Sequence, residues 1–244
     1  MRKHILFIIP AILFIIWAAS CTKTTTTPVI ATDTVVNAQI ATVQLNRGGN
    51  DTTDYRIVYN AQNQVDSIIE TTYYGESQVT LFTYSGSTCV VQNPTSGTGT
   101  YDTLTLNADG TINTIANGYY NTAVFTYNAN GIAQRQQIEY SERSTINYVW
   151  VNGDIDSSYT TPASVGGSNA EIYYYDLAHH WQMGDVISIS DFLTYGRPTV
   201  HSKHLVTQTS TEGFPTQYSY KFDSRGRITQ LTEDGSIYYY TYTN

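Results

Sequence analysis

Charged side chains are scarce in this chain of 244 residues. Asp, Glu, Lys and Arg together make up 13 % of it, about half the share of roughly 25 % in typical globular proteins. The balance is acidic, with 12 basic residues, 20 acidic residues and a formal net charge of −8. A chain without a basic patch cannot neutralise phosphates, so we expect no nucleic-acid partner. The same balance argues against electrostatic docking on anionic lipid.

Long hydrophobic runs and cysteines are also few. The main apolar run, Ile5–Trp17, is 13 residues long, whereas a helix that crosses a bilayer needs about 20. The only cysteines are Cys21 and Cys89. The local sequence Thr-Cys-Val-Val around Cys89 favours a small buried hydrophobe, since no activating base stands nearby for a nucleophile.

The first 21 residues have the organisation of a secretory signal. Arg2 and Lys3 precede the apolar run, and Ala18-Ala19-Ser20-Cys21 ends it. A cysteine after small residues resembles the lipobox of bacterial lipoproteins, although Ala18 stands where Leu is usual. The resemblance implies that Cys21 is lipidated and becomes the N-terminus, which also leaves Cys89 without a disulfide partner. Removing Arg2 and Lys3 leaves 10 basic residues against 20 acidic ones, a net charge of −10.

Tyrosine and threonine take the place that charge leaves. The chain has 22 tyrosines, and both residue types favour strands while keeping a polar group. Residues 22–37 are rich in threonine, contain Pro28 and have no apolar period, so we predict a flexible tether there. Residues 38–244 are then predicted to form one antiparallel β domain.

A weak hairpin repeat runs through that domain. Each copy has a strand, a turn of the form Asn/Asp-x-x-Gly and a second strand, because the Asn or Asp side chain caps the turn and Gly adopts positive φ. The repeat predicts an all-β fold, an antiparallel meander of hairpins forming a strongly curved sheet or partial barrel. The copies start at Tyr55, Leu104, Val124 and Tyr218.

Residues 178–206 interrupt the repeat. We predict one long inserted loop there, packed across one end or face of the sheet. Within it, Ser190-Asp191 can start a short helical turn that Gly196 closes.

Several segments together resemble a family of Bacteroidetes lipoproteins of unknown function with a porin-like antiparallel fold. They are the lipobox, the unit Tyr-x-Tyr-x-Phe-Asp-x-x-Gly-Arg-Ile-Thr at 218–229, the Phe-Leu-x-Tyr-Gly segment at 192–196 and the final strand at 237–242. The resemblance covers most of residues 38–244. The hairpin unit alone also resembles the YD repeats of large secreted toxins and teneurins. The family has no established activity, so no catalytic residue is carried over and none is predicted.

A porin-like fold does not by itself imply a porin. A membrane barrel alternates lipid-facing apolar residues with polar lumen residues. Here Thr, Gln, Asn and charged residues fall on both faces of the predicted strands. We therefore expect a curved sheet in water with the inserted loop as its plug, and we keep a membrane barrel as an alternative.

Three groups of side chains are candidate sites. Tyrosine clusters can stack on sugar faces or can simply pair across strands, and our candidate ligand-binding residues are Tyr173, Tyr174, Tyr175, Trp181 and Tyr195. Four histidines of the inserted region offer a weak zinc site whose spacing matches no standard motif; they are His179, His180, His201 and His204. Acids are scattered without an evident catalytic pair.

The sequence contains neither a Gly-x-Ser-x-Gly elbow nor a Walker loop. We therefore expect a non-enzymatic binding or structural module of the cell envelope, held at the outer membrane by its lipid and needing no cofactor. A carbohydrate-binding lipoprotein and an envelope hydrolase remain alternatives, and a glycan or an envelope protein is the expected partner besides the membrane. Residues 22–24 lack a run of acids that resembles a surface-export signal, which favours the periplasmic face.

Overall fold

The structure, a computed structural model, describes residues 38–93, 101–117, 121–139, 142–161 and 170–243. The predicted signal, Cys21 and the tether lie outside these residues. The described residues form sixteen strands and one helix, α1 (Val186–Tyr195). The strands are β1 (Ile40–Asn46), β2 (Thr52–Tyr59), β3 (Val65–Thr72), β4 (Ser77–Ser85), β5 (Thr88–Gln92), β6 (Tyr101–Leu106), β7 (Ile112–Asn117), β8 (Asn121–Asn128), β9 (Gly131–Glu139), β10 (Glu142–Val151), β11 (Asp154–Thr161), β12 (Glu171–His180), β13 (His204–Thr211), β14 (Phe214–Phe222), β15 (Ile228–Glu233) and β16 (Ser236–Tyr242).

The strands form one antiparallel meander that closes into a barrel. Each strand pairs with its neighbours in sequence, and β16 returns to pair with β1. Val43 lies opposite Tyr240 and Leu45 opposite Tyr238 at this junction. The predicted fold class is confirmed, and the sheet closes completely.

The predicted turn chemistry forms the hairpins. In the β2–β3 turn the Asn60 side chain accepts hydrogen bonds from the Gln62 and Gln64 amides at 2.9 and 3.0 Å. In the β14–β15 turn Asp223 accepts bonds from the Arg225 and Arg227 amides at 2.8 and 2.9 Å. All four copies of the sequence repeat are hairpins, namely β2–β3, β6–β7, β8–β9 and β14–β15. Local side chains therefore determine where the chain reverses.

Alternation along each strand separates an inner from an outer face. In β1, Val43 and Leu45 are buried inside the barrel while Gln44 between them is exposed. Side-chain hydrogen bonds between neighbouring strands cover much of the outer face. Examples are Thr42 with Thr241 at 2.7 Å, Gln44 with Asp54 at 2.8 Å and Gln134 with Asn147 at 3.0 Å. The outer face thus combines polar pairs with exposed apolar side chains such as Leu81, Val149 and Ile172.

Tyrosines are mostly inner residues and brace the barrel. In several even-numbered strands an inward tyrosine hydroxyl donates to a carbonyl of the preceding odd-numbered strand, at 2.5–2.9 Å. These pairs are Tyr59 with Ile40, Tyr127 with Ile112, Tyr175 with Ile155, Tyr220 with Val206 and Tyr242 with Ile228. A buried hydroxyl needs such a partner, so these tyrosines have a structural role.

The connection between β12 and β13, residues 181–203, carries α1 into the barrel. Asp185 caps the helix by accepting from the Ile187 amide at 3.0 Å. Gly196 ends it at φ 69° and donates to the Phe192 carbonyl. The helix therefore begins earlier than the predicted Ser190-Asp191 turn, while its predicted end at Gly196 is confirmed.

The helix fills one half of the barrel, which we call the lower half. Its buried Ile189 and Phe192 belong to the same apolar core as Val43, Leu104 and Leu231 of the wall. At the lower end, Gln182 donates to the Gly226 carbonyl at 2.9 Å and accepts from the Ile228 amide at 3.0 Å. The predicted plug is therefore a helix packed inside a closed barrel.

Cys89 lies in this lower core, fully buried and free, as expected for a small hydrophobe. Burial raises the pKa of its thiol. No helix within the described part of the chain is long and apolar enough to cross a bilayer.

Candidate functional site

The inner face of the other half differs from the lower core. We call the end at which β1 turns into β2 the upper end, and the inner surface near it the upper chamber. Most inward positions there carry tyrosines, carboxylates, arginines and amides, and Leu45 is an aliphatic exception. Members on successive strands are Tyr55, Glu70, Asp102, Asn117, Arg135, Gln137, Tyr148, Glu171, Tyr173, Tyr218, Glu233 and Tyr238. The barrel thus combines an apolar lower half with a polar, aromatic upper half.

One wall of the chamber is formed by β10, β11 and β12. The Tyr173 hydroxyl donates to Glu171 at 2.6 Å and lies 3.2 Å from the Ser158 hydroxyl. Burial, with the Glu171 charge, raises the pKa of Tyr173 far above its usual value. Burial also raises the pKa of Tyr148 to about 12, against the opposing charge of Arg135. Both tyrosines are neutral hydrogen-bonding groups at physiological pH.

The end of α1 forms the floor. Burial, reinforced by the charge of Asp102, raises the pKa of Tyr195. Burial raises the pKa of Asp191. The hydrogen bond that Asp191 accepts from the Thr199 hydroxyl and the charge of Arg135 oppose this rise. Tyr195 of α1, Asp102 of β6 and Arg135 of β9 line one cavity.

Two cavities lie against the chamber wall. The smaller, about 120 Å³, is lined by Asp102, Asn117, Arg135, Gln137 and Tyr195 among others. Arg135 also stacks over the Phe125 ring, with its guanidinium carbon 5.7 Å from the ring centroid. This cavity offers both donors and acceptors beside an aromatic ring.

The larger cavity, about 650 Å³, lies between the β1–β2 and β3–β4 turns. Ligand pockets typically measure about 300–1,000 Å³, so it is large enough for a small organic ligand. Arg47 on its wall donates to Asp51 at 3.4 Å and to Thr53 at 3.2 Å. Tyr73 and Tyr74 stand at its rim.

The structure brings together two of the five predicted ligand-binding residues. Tyr173 and Tyr195 belong to the upper chamber. Tyr175 lies in the lower half, bonded to the Ile155 carbonyl at 2.8 Å and to Ser202 at 2.7 Å. Tyr174 is 47 % exposed on the outer face, and Trp181 is buried in the lower end, stacked on His201.

The four candidate histidines lie near the lower end, each in contact with a packing partner. His179 bonds Asp176 at 2.6 Å and His204 bonds Asp154 at 2.7 Å, while His180 stacks on His204. Burial lowers the pKa of His201. Within the described ranges, no three His, Cys, Asp or Glu side chains are arranged to hold a metal ion.

Sequence reasoning missed most of the chamber. The sequence patterns assign no role to Arg47, Arg135 or Tyr148. They do not separate Glu70 and Glu171 from the other scattered acids. One signal was available, because residues two positions from an inward hairpin residue share its face. The local sequence does not indicate which end of each strand contacts the plug.

Comparison with known proteins supports the fold. No protein-family model and no curated protein matches the sequence. A crystal structure of a porin-like protein from Bacteroides uniformis superimposes with a TM-score of 0.63 at 14 % identity, covering 84 % of this chain and 98 % of that one. A porin-like protein from Bacteroides vulgatus gives a TM-score of 0.57 at 11 % identity, covering 85 % and 99 %. At these identities the likeness establishes the porin-like fold; lipoprotein membership and the YD-repeat likeness stay predictions.

Proposed function

We propose that the protein is a lipid-anchored, non-enzymatic binding protein of the cell envelope, and that its ligand occupies the upper chamber. The observation that carries the proposal is the division of the barrel interior. The lower half is filled by α1 and aliphatic side chains, whereas the upper half presents tyrosines, carboxylates and arginines beside two cavities. Convergent polar groups within an otherwise stable scaffold are characteristic of binding sites.

The outer face supports a barrel in water rather than one embedded in lipid. Gln44, Asp54 and Lys221 are exposed there, and moving such groups into hydrocarbon costs several kcal/mol each. The described strands are 5 to 10 residues long, against about 9–11 for membrane-spanning strands. A tether with an acylated cysteine at position 21 supplies the membrane attachment that such a surface lacks.

Metabolic labelling in the native host tests the anchor. With an alkyne-bearing palmitate, we expect the wild-type protein to be labelled and recovered with the outer membrane. Cys21→Ala should lose the label and leave the membrane fraction, while Cys89→Ala should keep both. An unlabelled wild-type protein, or a labelled Cys21→Ala variant, would refute the anchor.

Thiol accessibility tests the chamber. Gln137 lines the smaller cavity, whereas Cys89 is fully buried in the lower core. In Gln137→Cys the introduced thiol should react with a small methanethiosulfonate reagent in the native state, and Cys89 should react only after unfolding. Equal protection of both thiols would show that the smaller cavity admits no ligand.

An envelope hydrolase is the second candidate, because burial raises the pKa of Asp102 in the smaller cavity. A carboxyl whose pKa is raised by burial is protonated more easily, which suits a general acid. Release of reducing ends from neutral polysaccharides, abolished by Asp102→Asn, would support hydrolysis. Full activity in that variant would remove Asp102 from consideration.

A further inference from the structure

The larger cavity has a chemistry that favours one ligand class. It combines two aromatic rings at the rim with groups of both charges on its wall and floor. Tyr73 and Tyr74 meet edge to face, with ring centroids 5.5 Å apart and planes at 71°. Tyr74 is 86 % exposed, which is unusual for so large a side chain with apolar faces.

The rim rings are held in place by neighbours in the same cavity. Asn50 donates from its side chain to the Tyr73 hydroxyl at 3.3 Å. The β3–β4 turn is closed by the bond from the Thr72 amide to the Glu76 carbonyl at 2.9 Å, and the Tyr73 amide donates to the Thr52 carbonyl at 2.8 Å. Tyr73 is therefore attached to both hairpins, so ordering its ring on binding costs little.

The charges of the cavity disfavour an anionic ligand, because its charged side chains are one arginine and three carboxylates, Asp51, Glu70 and Glu76. Arg47 on the wall is paired with Asp51 at 3.4 Å. An anion that approaches Arg47 therefore meets carboxylates of the same cavity. A neutral ligand with many hydroxyl groups can bond both, since carboxylates accept and guanidinium donates.

We propose that this cavity binds a neutral saccharide, with Tyr73 and Tyr74 as the stacking surface and Arg47 and Glu70 as hydrogen-bonding groups. Sugar rings present apolar C–H faces and a rim of hydroxyls, which matches rings beside mixed polar groups. Among the described residues, the Glu70 and Glu76 carboxylates make no side-chain hydrogen bond or ion pair, so their acceptor capacity is available. The assignment rests on the proposed binding role of the upper chamber.

A glycan array followed by calorimetry tests the proposal on the purified full chain. The probes are neutral oligosaccharides, with spermine as a cationic probe and an oligogalacturonate as an anionic one. We expect at least one neutral oligosaccharide to bind, and Tyr74→Ala to weaken it at least tenfold. Phe214→Ala is the matched control, because Phe214 is 76 % exposed on another hairpin of the upper end but does not line the cavity.

Each other outcome has a distinct meaning. Binding of spermine or oligogalacturonate alone, lost in Tyr74→Ala, would overturn the saccharide while leaving the binding role intact. Equal saccharide affinity in Tyr74→Ala and Phe214→Ala would place the site outside this cavity and overturn the assignment. Absence of any binding across the array at millimolar concentration would also overturn it, and the thiol at position 137 reports separately on the smaller cavity.

Discussion

The buried carboxyl of Asp185 predicts an unusual dependence of stability on pH. Asp185 is fully buried, and it accepts from the Ile187 amide at 3.0 Å, the Val206 amide at 3.1 Å and the Tyr220 hydroxyl at 3.2 Å. Burial raises its pKa from 3.8 to about 7 in spite of these bonds. One carboxyl thus joins α1 to the barrel wall while losing its hydration.

The size and sign of the effect follow from linkage. A shift of about three units corresponds to roughly 4 kcal/mol at about 1.36 kcal/mol per unit. Because the folded state holds the proton more tightly than the unfolded state, this contribution is fully present below about pH 4. It is lost as pH rises towards 7 and is constant above that.

Asp185→Asn removes this titration while keeping the shape and one acceptor oxygen. Relative to wild type, we expect the free energy of unfolding of the variant to rise by up to about 4 kcal/mol between pH 4 and pH 8. Free energies of unfolding from urea titrations at four pH values in this range measure the difference. Other titrating groups are present in both proteins, so their contributions cancel in the comparison. The titratable groups that face Asp185 are tyrosines, and its charge raises the pKa values of Tyr220 and Tyr240.

Ser188→Ala is the control for this experiment. Ser188 is also fully buried and donates to the Met183 and Asp185 carbonyls at 3.1 Å, but it does not titrate. Its loss should lower stability by a similar amount at every pH. If the difference between Asp185→Asn and wild type stays constant within about 1 kcal/mol, burial does not control this carboxyl and the reasoning is wrong.

Three further predictions concern the plug and the barrel. Gly196→Ala should lower the free energy of unfolding by about 2–4 kcal/mol, because φ is 69° and the added Cβ would lie 3.0 Å from the Phe82 ring. The control Gly213→Ala, at φ 83° with nothing within 4 Å of the added Cβ, should lower it by about 1 kcal/mol in the same urea titration. Phe192→Ala should cost about 3–5 kcal/mol, because Phe192 is buried at the centre of the core, and a smaller loss would mean that α1 is not packed as described. Planar bilayers exposed to the protein should show no conductance, because α1 fills the lower half; stable ohmic steps would contradict this.

The polarity of the two faces is the observation behind the proposal that this barrel stands in water. In a membrane barrel the apolar residues face outward and the polar ones face the lumen. Here the aliphatic residues Val43, Leu104 and Leu231 point inward, and the outer face carries bonded polar pairs such as Thr42 with Thr241. The same strand topology is thus compatible with two opposite environments, and the side chains decide between them.

The candidate site illustrates how far sequence patterns reach. The sequence indicates two alternative roles for the tyrosines, a binding site or cross-strand support. Tyr173 lines the chamber, whereas Tyr175 braces the lower wall. Neighbours in the sequence separate because successive strand residues face opposite sides, which puts Tyr174 outside. Arg47 and Glu70 line one cavity only because β1, β2 and β3 pair in one register.

Local residues are sufficient to specify the hairpins. Asn60 and Asp223 cap turns through bonds that reach only two to four residues along the chain, so their outcome is independent of distant strands. Tertiary structure alone decided closure, because the pairing of β1 with β16 joins residues about 200 positions apart and depends on twist and register summed over all the strands. Tertiary structure also determines which half of the barrel is an apolar core. α1 enters from the lower end and packs against aliphatic side chains there, whereas polar side chains line the cavity in the upper half.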